Sequence, residues 1–186
     1  MNNNSLWSEI RFMLILSLIC GLFLGGTRMA IGERAELSDK TINSIYDILG
    51  EKVDQKIIYE QFAKDFKQLN KGRIKVWQKN NNTSIFAYEA TGSGMWAEIT
   101  LVFVVDSIKK ELLGLRVIEQ KETPGVGSKI SEEEFCNQFN SLSCEKEIKV
   151  DAITGATTSS KSVEKLLNKA LSRQLSFEKE GTKASP

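Results

Sequence analysis

The chain has 186 residues, of which 41% are hydrophobic and 26% charged, and its net charge is +1. This is the size and composition of one globular domain plus a small extra element, and the balanced charge excludes the basic field that gathers nucleic acid. Histidine is absent, which removes the commonest general base, triad partner and metal ligand, so hydrolase and zinc-enzyme chemistry lack their usual residue.

The first element is apolar. Phe12 to Gly26 reads FMLILSLICGLFLGG without a charge. Extended to Ile31 it is about 20 residues, which at ~1.5 Å each spans a bilayer core. A single transmembrane helix over 12–31 is expected, with Trp7 at one interface and Arg28 snorkelling to the other. A cleaved signal peptide is the rival, but no clear A-x-A site follows, and bulky Ile19 before Cys20 disfavours a lipoprotein site. Gly21 and Gly25 form a G-x-x-x-G that lets a partner helix approach, or are ordinary membrane glycines. Arg11 on one side and Arg28 and Arg34 on the other leave orientation undecided by the positive-inside rule.

Residues 32–72 read as a helical connecting region. Leu37, Ile42, Ile45, Tyr46, Ile48 and Leu49 give one helix, capped by Ser38 or Asp39. A second runs through Tyr59, Phe62, Phe66 and Leu69 and ends at Gly72. Strands follow at Arg73–Gln78, Thr83–Glu89, Trp96–Val105 and Leu112–Gln120, the last two as antiparallel neighbours. Trp77 and Phe103 are assigned to the core. Gly92-Ser93-Gly94 allows close backbone approach. Glu122-Thr123-Pro124-Gly125-Val126-Gly127 is a loop by its Pro-Gly pair. Phe135, Phe139 and Leu142 suggest a short helix. A final helix is capped by Ser159 or Ser160, with Val163, Leu166, Leu167, Ala170 and Leu171 on its apolar face. The fold class is α+β: a single mixed or antiparallel-sheet domain with flanking helices behind one N-terminal transmembrane helix. The divisions are a short segment 1–11, the span 12–31, the connecting region 32–72, the domain 73–175 and a loose polar tail 176–186.

None of the three cysteines, Cys20, Cys136 and Cys144, forms a CxxC pair, so metal and iron–sulfur sites find no support. Cys136 and Cys144 either pair, in an oxidising compartment, or stay as thiols.

The chemistry concentrates in Asp151-Ala152-Ile153-Thr154-Gly155-Ala156-Thr157-Thr158-Ser159-Ser160. Gly155 permits a tight turn, Ala156 is small, and five hydroxyls stand at the start of an amphipathic helix. Free amides and the positive helix end favour a phosphate there. The plain alternative is a hydroxyl-rich helix cap without a ligand, and the residues alone leave both open.

The string Asp-x-x-Thr-Gly-Ala-Thr resembles the flavinylation motif of the FMN-binding domain family, which includes the G subunit of Rnf electron-transfer complexes and the C subunit of the sodium-pumping NADH:quinone reductase. The Glu122–Gly127 loop resembles that family's Glu-Thr-Pro-Gly-Leu-Gly, with Val126 as a mild change, and Gly94-Met95-Trp96 resembles the segment near the flavin. The resemblance covers residues 90–172. It implies FMN joined by a phosphoester to Thr157 by a dedicated flavin transferase. Asp151, Thr154, Gly155 and Ala156 are then recognition residues, and Thr158, Glu122, Thr123, Pro124, Gly125, Met95 and Trp96 complete the cofactor site. Glu122 serves either the flavin or only the loop amides; Met95 and Trp96 are flavin contacts or core, and core is the commoner role for such residues. Lys129 reads as a solvated lysine.

No catalytic residue and no metal is implied; the flavin supplies the chemistry. The implied role is an electron-carrier subunit of an Rnf-type, ion-translocating complex in the cell inner membrane, single-pass, with the flavin domain on the outer face and other membrane subunits as partners. The C subunit of a sodium-pumping NADH:quinone reductase, a stand-alone extracellular electron-transfer flavoprotein and an anchored binding module without flavin are the alternatives. No Gly-rich nucleotide fingerprint follows a strand, so oxidation of NADH by this chain alone is not expected.

Overall fold

The β-branched run Glu98–Asp106 builds the heart of the fold, because every residue after Glu98 in it is buried. In a strand, successive side chains point to opposite faces, so burial throughout means that both faces of the sheet are covered. In this computed structural model, which describes residue 7 and residues 11–21, 37–71 and 74–181, the coverage comes from helices on either side.

Two compact units are formed, Met1–Ser38 and Asp39–Pro186. In the first, residues 11–21 form a helix, α1, whose apolar side chains Phe12, Leu14, Ile15, Leu18 and Ile19 are all exposed. The remainder of the expected span, 22–31, lies outside the described residues, and among the described residues no helix is long and apolar enough to cross a membrane.

The second unit runs α2 (Asp39–Leu49), α3 (Ile58–Asp65), β1 (Phe66–Lys71), β2 (Ile74–Lys79), β3 (Ile85–Ser93), β4 (Glu98–Asp106), β5 (Glu111–Glu119), a 3-10 turn (Gly127–Ser131), α4 (Glu133–Asn137), β6 (Leu142–Ser143) and α5 (Thr157–Gly181). The strands form one sheet in the order β1-β2-β3-β4-β5-β6, each antiparallel to its neighbour. The α+β expectation holds, with the sheet wholly antiparallel. On one face Ile99, Leu101, Phe103 and Leu115 join Val163 and Leu167 of α5 and Phe135 and Phe139 around α4. The alternate residues of β4, Val102 and Val104, are also buried, on the face where α2 packs against β4 and β5. Glu89 of β3 ties α2 to that face: its carboxylate accepts the Thr41 hydroxyl at 2.6 Å and pairs with Lys75 at 2.7 Å.

Three local expectations are corrected. The second helix does not continue to Gly72. It ends at Asp65, and Phe66 turns extended (φ −130°, ψ 137°) to pair with Lys79. The Phe62/Phe66 spacing mimicked a helix because the two rings do stack, at 4.7 Å between centroids, with Trp77 edge-on to Phe62 at 5.9 Å. The contact survives the change of backbone, and the strand gains a ladder of hydrogen bonds. Leu142 lies in β6 and not in a helix. Residues 176–181, expected as a loose tail, continue α5 as helix; 182–186 lie outside the described residues. Trp77 and Phe103 are core, as expected. Cys136 and Cys144 are both free thiols, the first buried.

Candidate functional site

Residues 147–153, before α5, have no regular secondary structure, so their backbone needs partners from outside a ladder. Its partners are α5 side chains one helical turn apart. Asn168 accepts from the Ile148 amide at 2.9 Å and donates to the Ile148 carbonyl at 2.8 Å. Glu164 accepts from the Val150 amide at 2.7 Å, and the Ser160 hydroxyl accepts from the Ile153 amide at 3.1 Å. Residues four apart share a helix face, so Ser160, Glu164 and Asn168 form a polar rail that lays residues 148–153 along the helix. Burial opposes the charge on Glu164, but Lys161 and the Val150 amide outweigh it and hold its carboxyl below its ordinary range.

The rail delivers the chain to a turn. The Ala156 amide donates to the Ile153 carbonyl at 2.9 Å, and Gly155 sits at φ +83°, left-handed backbone that glycine adopts without a Cβ penalty. The helix then starts at Thr157, so Ser159 and Ser160, expected as caps, lie within its first turn. Both are buried, whereas Thr154, Thr157 and Thr158 are exposed. Ala156 is buried beneath the turn. The leading amides of a helix have no acceptor further back, so three hydroxyls and open amides face outward together. Asp151 is exposed at the mouth of this segment, its amide held by Gln138 at 2.7 Å.

Glu122 joins this turn to the other two motifs. It is 4% exposed. Its Oε1 accepts from the amides of Met95 at 3.0 Å and Trp96 at 3.2 Å, and its Oε2 accepts the Ser159 hydroxyl at 2.6 Å. Burial alone would raise its pKa; the Ser159 hydroxyl and the amides of Trp96, Met95 and Ala97 overcome that and hold the carboxyl below the usual range. Two glycines let the carboxylate in. A Cβ on Gly94 would fall within contact distance of Glu122 Oε1 and 2.7 Å from the Ala97 carbonyl, and one on Gly127 would lie 2.9 Å from Glu122 Cβ and 3.0 Å from Ser159 Oγ. The loop between them is closed on the Thr123 carbonyl, which accepts from Val126 at 3.2 Å and Ser128 at 3.0 Å, with Gly125 at φ +73°. Thr123, Pro124, Gly125 and Lys129 are exposed around it.

The Met95 and Trp96 amides bond Glu122, while their side chains are 53% and 70% exposed. The core alternative for these two is therefore set aside. With half-open Val126, whose Cγ1 lies 3.5 Å from where a Gly155 Cβ would be, they give apolar surface to a rim otherwise built of hydroxyls and amides. A cleft of about 830 Å³ is lined by residues that include Thr91, Ala97, Thr100, Val117 and Lys121, and by none of Met95, Trp96, Glu122 or Thr157. Among the described residues no cluster of His, Cys, Asp and Glu fits a metal ion. Ser159 was the functional residue that sequence reasoning misplaced, and the polar rail was missed. Only the four-residue spacing of Ser160, Glu164 and Asn168 hinted at it.

Residues 94–172 match the family model of the FMN-binding domain. Over that stretch the chain is similar to an FMN-binding domain. The match begins at Gly94 of the Glu122 cradle and covers both loops and most of α5. The G subunit of an ion-translocating oxidoreductase complex from Haemophilus influenzae is 48% identical over 54 residues, 28% of this chain and 26% of that protein. The G subunit of a proton-translocating ferredoxin:NAD(+) oxidoreductase complex from Clostridium ljungdahlii is 29% identical over 109 residues, 54% of this chain and 58% of that one. The chain thus matches about a quarter to a little over half the length of these relatives. In fold it resembles Shewanella oneidensis NqrC, with a TM-score of 0.59 at 16% identity over 70% of this chain and 89% of that chain. The C subunit of the Na(+)-translocating NADH-quinone reductase of Parabacteroides distasonis gives 0.53 at 21% identity over 74% and 87%.

The residues of the site fit FMN. The exposed hydroxyls and open amides at the start of α5 suit its phosphate, and the exposed pair Met95 and Trp96 offers apolar cover for a ring.

Proposed function

We propose that this domain holds FMN covalently, through a phosphoester on Thr157, and serves as the electron-carrying subunit of an Rnf-type ion-translocating complex anchored in the inner membrane. The observation that carries the reading is the convergence on Glu122: three segments far apart in sequence are drawn together around a helix start whose Thr157 hydroxyl faces solvent. When bound, FMN supplies reversible electron transfer. The protein's part is positional. The first amides of α5 face the remaining phosphate charge, a favourable pairing at a helix N-terminus. Thr154, Gly155 and Ala156 shape the turn that carries Thr157, and Asp151 and Thr158 flank it. Met95 and Trp96 shield the ring from water, and the Thr123–Gly125 loop closes the rim.

A role within such a complex is supported by the two relatives that are G subunits. The likeness to the C subunits of quinone reductases concerns the fold, so that assignment stands second. The anchor reading draws on helix α1, apolar and exposed all round, and on the apolar residues that follow it in sequence. Other membrane subunits and a flavin transferase are the partners, and the flavin domain lies on the outer face.

The test is a denaturing gel viewed under ultraviolet light after coexpression with a flavin transferase. A fluorescent band and an FMN mass adduct are expected for the wild type, and neither for Thr157→Ala. A wild-type chain without adduct under these conditions refutes the covalent reading. Copurification of further membrane subunits separates the complex from a stand-alone carrier.

A further inference from the structure

Glu122 holds its oxygens against protein donors: Oε1 takes two amides and Oε2 takes the Ser159 hydroxyl. A buried charge so engaged is costly to place and costly to remove, which marks it as a built feature. What it grips is informative. Ser159 and Thr157 are two residues apart on the same helical turn, and two residues rotate the direction of a side chain by about 200°. Fixing Ser159 inward therefore fixes Thr157 outward. The two are respectively buried and exposed, as this requires. Gly94 and Gly127 leave no room for the carboxylate to shift, since their missing Cβ atoms are replaced by Glu122 itself. The far end of the grip is the turn carrying Met95 and Trp96, so one residue sets the distance between the threonine and the exposed apolar pair.

We propose that Glu122 is a positioning residue for cofactor attachment: by holding Ser159 it orients the first turn of α5 so that Thr157 Oγ is presented to the enzyme that installs FMN. This rests on the covalent reading above. In the step concerned, Thr157 Oγ attacks the FMN phosphorus of a flavin dinucleotide and an Oγ–P bond forms. The phosphoanhydride bond to the departing AMP breaks, and the hydroxyl proton passes to a base of the transferase. No electrons are exchanged. Glu122 touches none of the reacting atoms. It restricts the approach of the nucleophile, and small misplacements of a nucleophile cost rate steeply.

The experiment uses the full chain in detergent, expressed without transferase and then incubated with purified transferase and FAD. The initial rate of FMN incorporation is read by in-gel fluorescence and by mass, and near-ultraviolet circular dichroism reports folding. Glu122→Ala and Ser159→Ala are expected to lower the turnover of transfer about tenfold to a hundredfold with the KM for FAD unchanged. Glu122→Gln is expected to recover part of the loss, because its carbonyl oxygen can accept the two amides and its NH₂ can donate to Ser159 Oγ. If Glu122→Ala fails to fold, Ser159→Ala carries the test, since it leaves Glu122 and both amide bonds in place. Folded Ser159→Ala or Glu122→Ala labelled at the wild-type rate overturns the positioning role. A wild-type chain that takes up no FMN overturns the attachment reading instead.

Discussion

Replacing Gly94 by alanine should damage the Glu122 cradle. The added Cβ would fall within contact distance of Glu122 Oε1, 2.7 Å from the Ala97 carbonyl and 2.8 Å from Ile99 Cδ1. Two of these neighbours are buried side chains and the third is backbone, so none yields freely. Gly94 also closes the turn with its own amide, 2.7 Å from the Ala97 carbonyl. Overpacking a tight site costs about 1–3 kcal/mol. Loosening one hydrogen bond to a buried carboxylate adds about 1–2 kcal/mol. The expected loss is therefore about 2–5 kcal/mol, or roughly 4–20 °C in melting midpoint for a domain of this size. Thermal denaturation followed by circular dichroism measures it. Gly125→Ala is the control: nothing lies within 4 Å of its Cβ position, but φ is +73°, so the cost is conformational alone, about 1–2 kcal/mol. A Gly94→Ala chain melting within about 1 °C of wild type, or no less stable than Gly125→Ala, would refute the idea that Glu122 is tightly enclosed.

Stability should fall in acid for a defined reason. The folded pKa of Glu122 lies below its ordinary value of 4.5, so its contribution is present above that value and is lost as pH drops through the folded pKa; Glu164 adds in the same direction. Glu122→Gln should flatten the melting midpoint's dependence on pH in that acidic window and leave its slope near neutrality unchanged. Asn168→Ala removes both the donor and the acceptor that serve the backbone of Ile148, and unpaired, partly buried groups cost about 1–3 kcal/mol each. Hydrogen exchange should show residues 148–153 opening first. Cys144, whose thiol burial pushes up to about 11, and Cys136, buried and also raised, should resist alkylation at neutral pH until the domain unfolds, as mass spectrometry can follow.

The β-branched run of β4 and the α5 apolar repeat made the sheet and its main helix legible from the sequence. The failure at Phe66 has a clear origin. Aromatic residues four apart satisfy a helix, yet the same rings can stack across a helix-to-strand junction, and periodicity carries no information about which backbone joins them. The site divided in the same way. Sequence showed a hydroxyl-rich helix start beside a Pro-Gly loop, but not which hydroxyls turn inward. That depends on Glu122, 37 residues from Ser159, and a long-range contact leaves no local pattern. Trp96 misled for a related reason. Its size argued for burial, but its amide bonds Glu122 while its side chain is 70% exposed.

Under the covalent attachment proposed above, those inward and outward directions favour one of the five hydroxyls of the motif. Ser159 and Ser160 are 2% and 0% exposed, and each already serves a partner: Ser159 donates to Glu122 at 2.6 Å, and Ser160 donates to the Ala156 carbonyl at 3.0 Å while accepting from Ile153. Neither can reach an incoming phosphorus without undoing the first turn. Thr154, Thr157 and Thr158 remain exposed. Thr154 lies before the turn of Gly155 and outside the helix, so the leading amides of α5 do not converge on it. Thr158 is in the helix but rotated by about 100° from Thr157, and it lies one residue beyond the helix start, where the open amides are fewer. Thr157 alone combines exposure with the helix's first position. Thr154→Ala and Thr158→Ala should therefore keep the covalent adduct at reduced rates, while Thr157→Ala loses it and Thr157→Ser retains it, because the serine hydroxyl occupies the same place. An adduct that survives Thr157→Ala and maps by peptide mass to Thr158 would show that exposure, and not position on the helix, selects the acceptor.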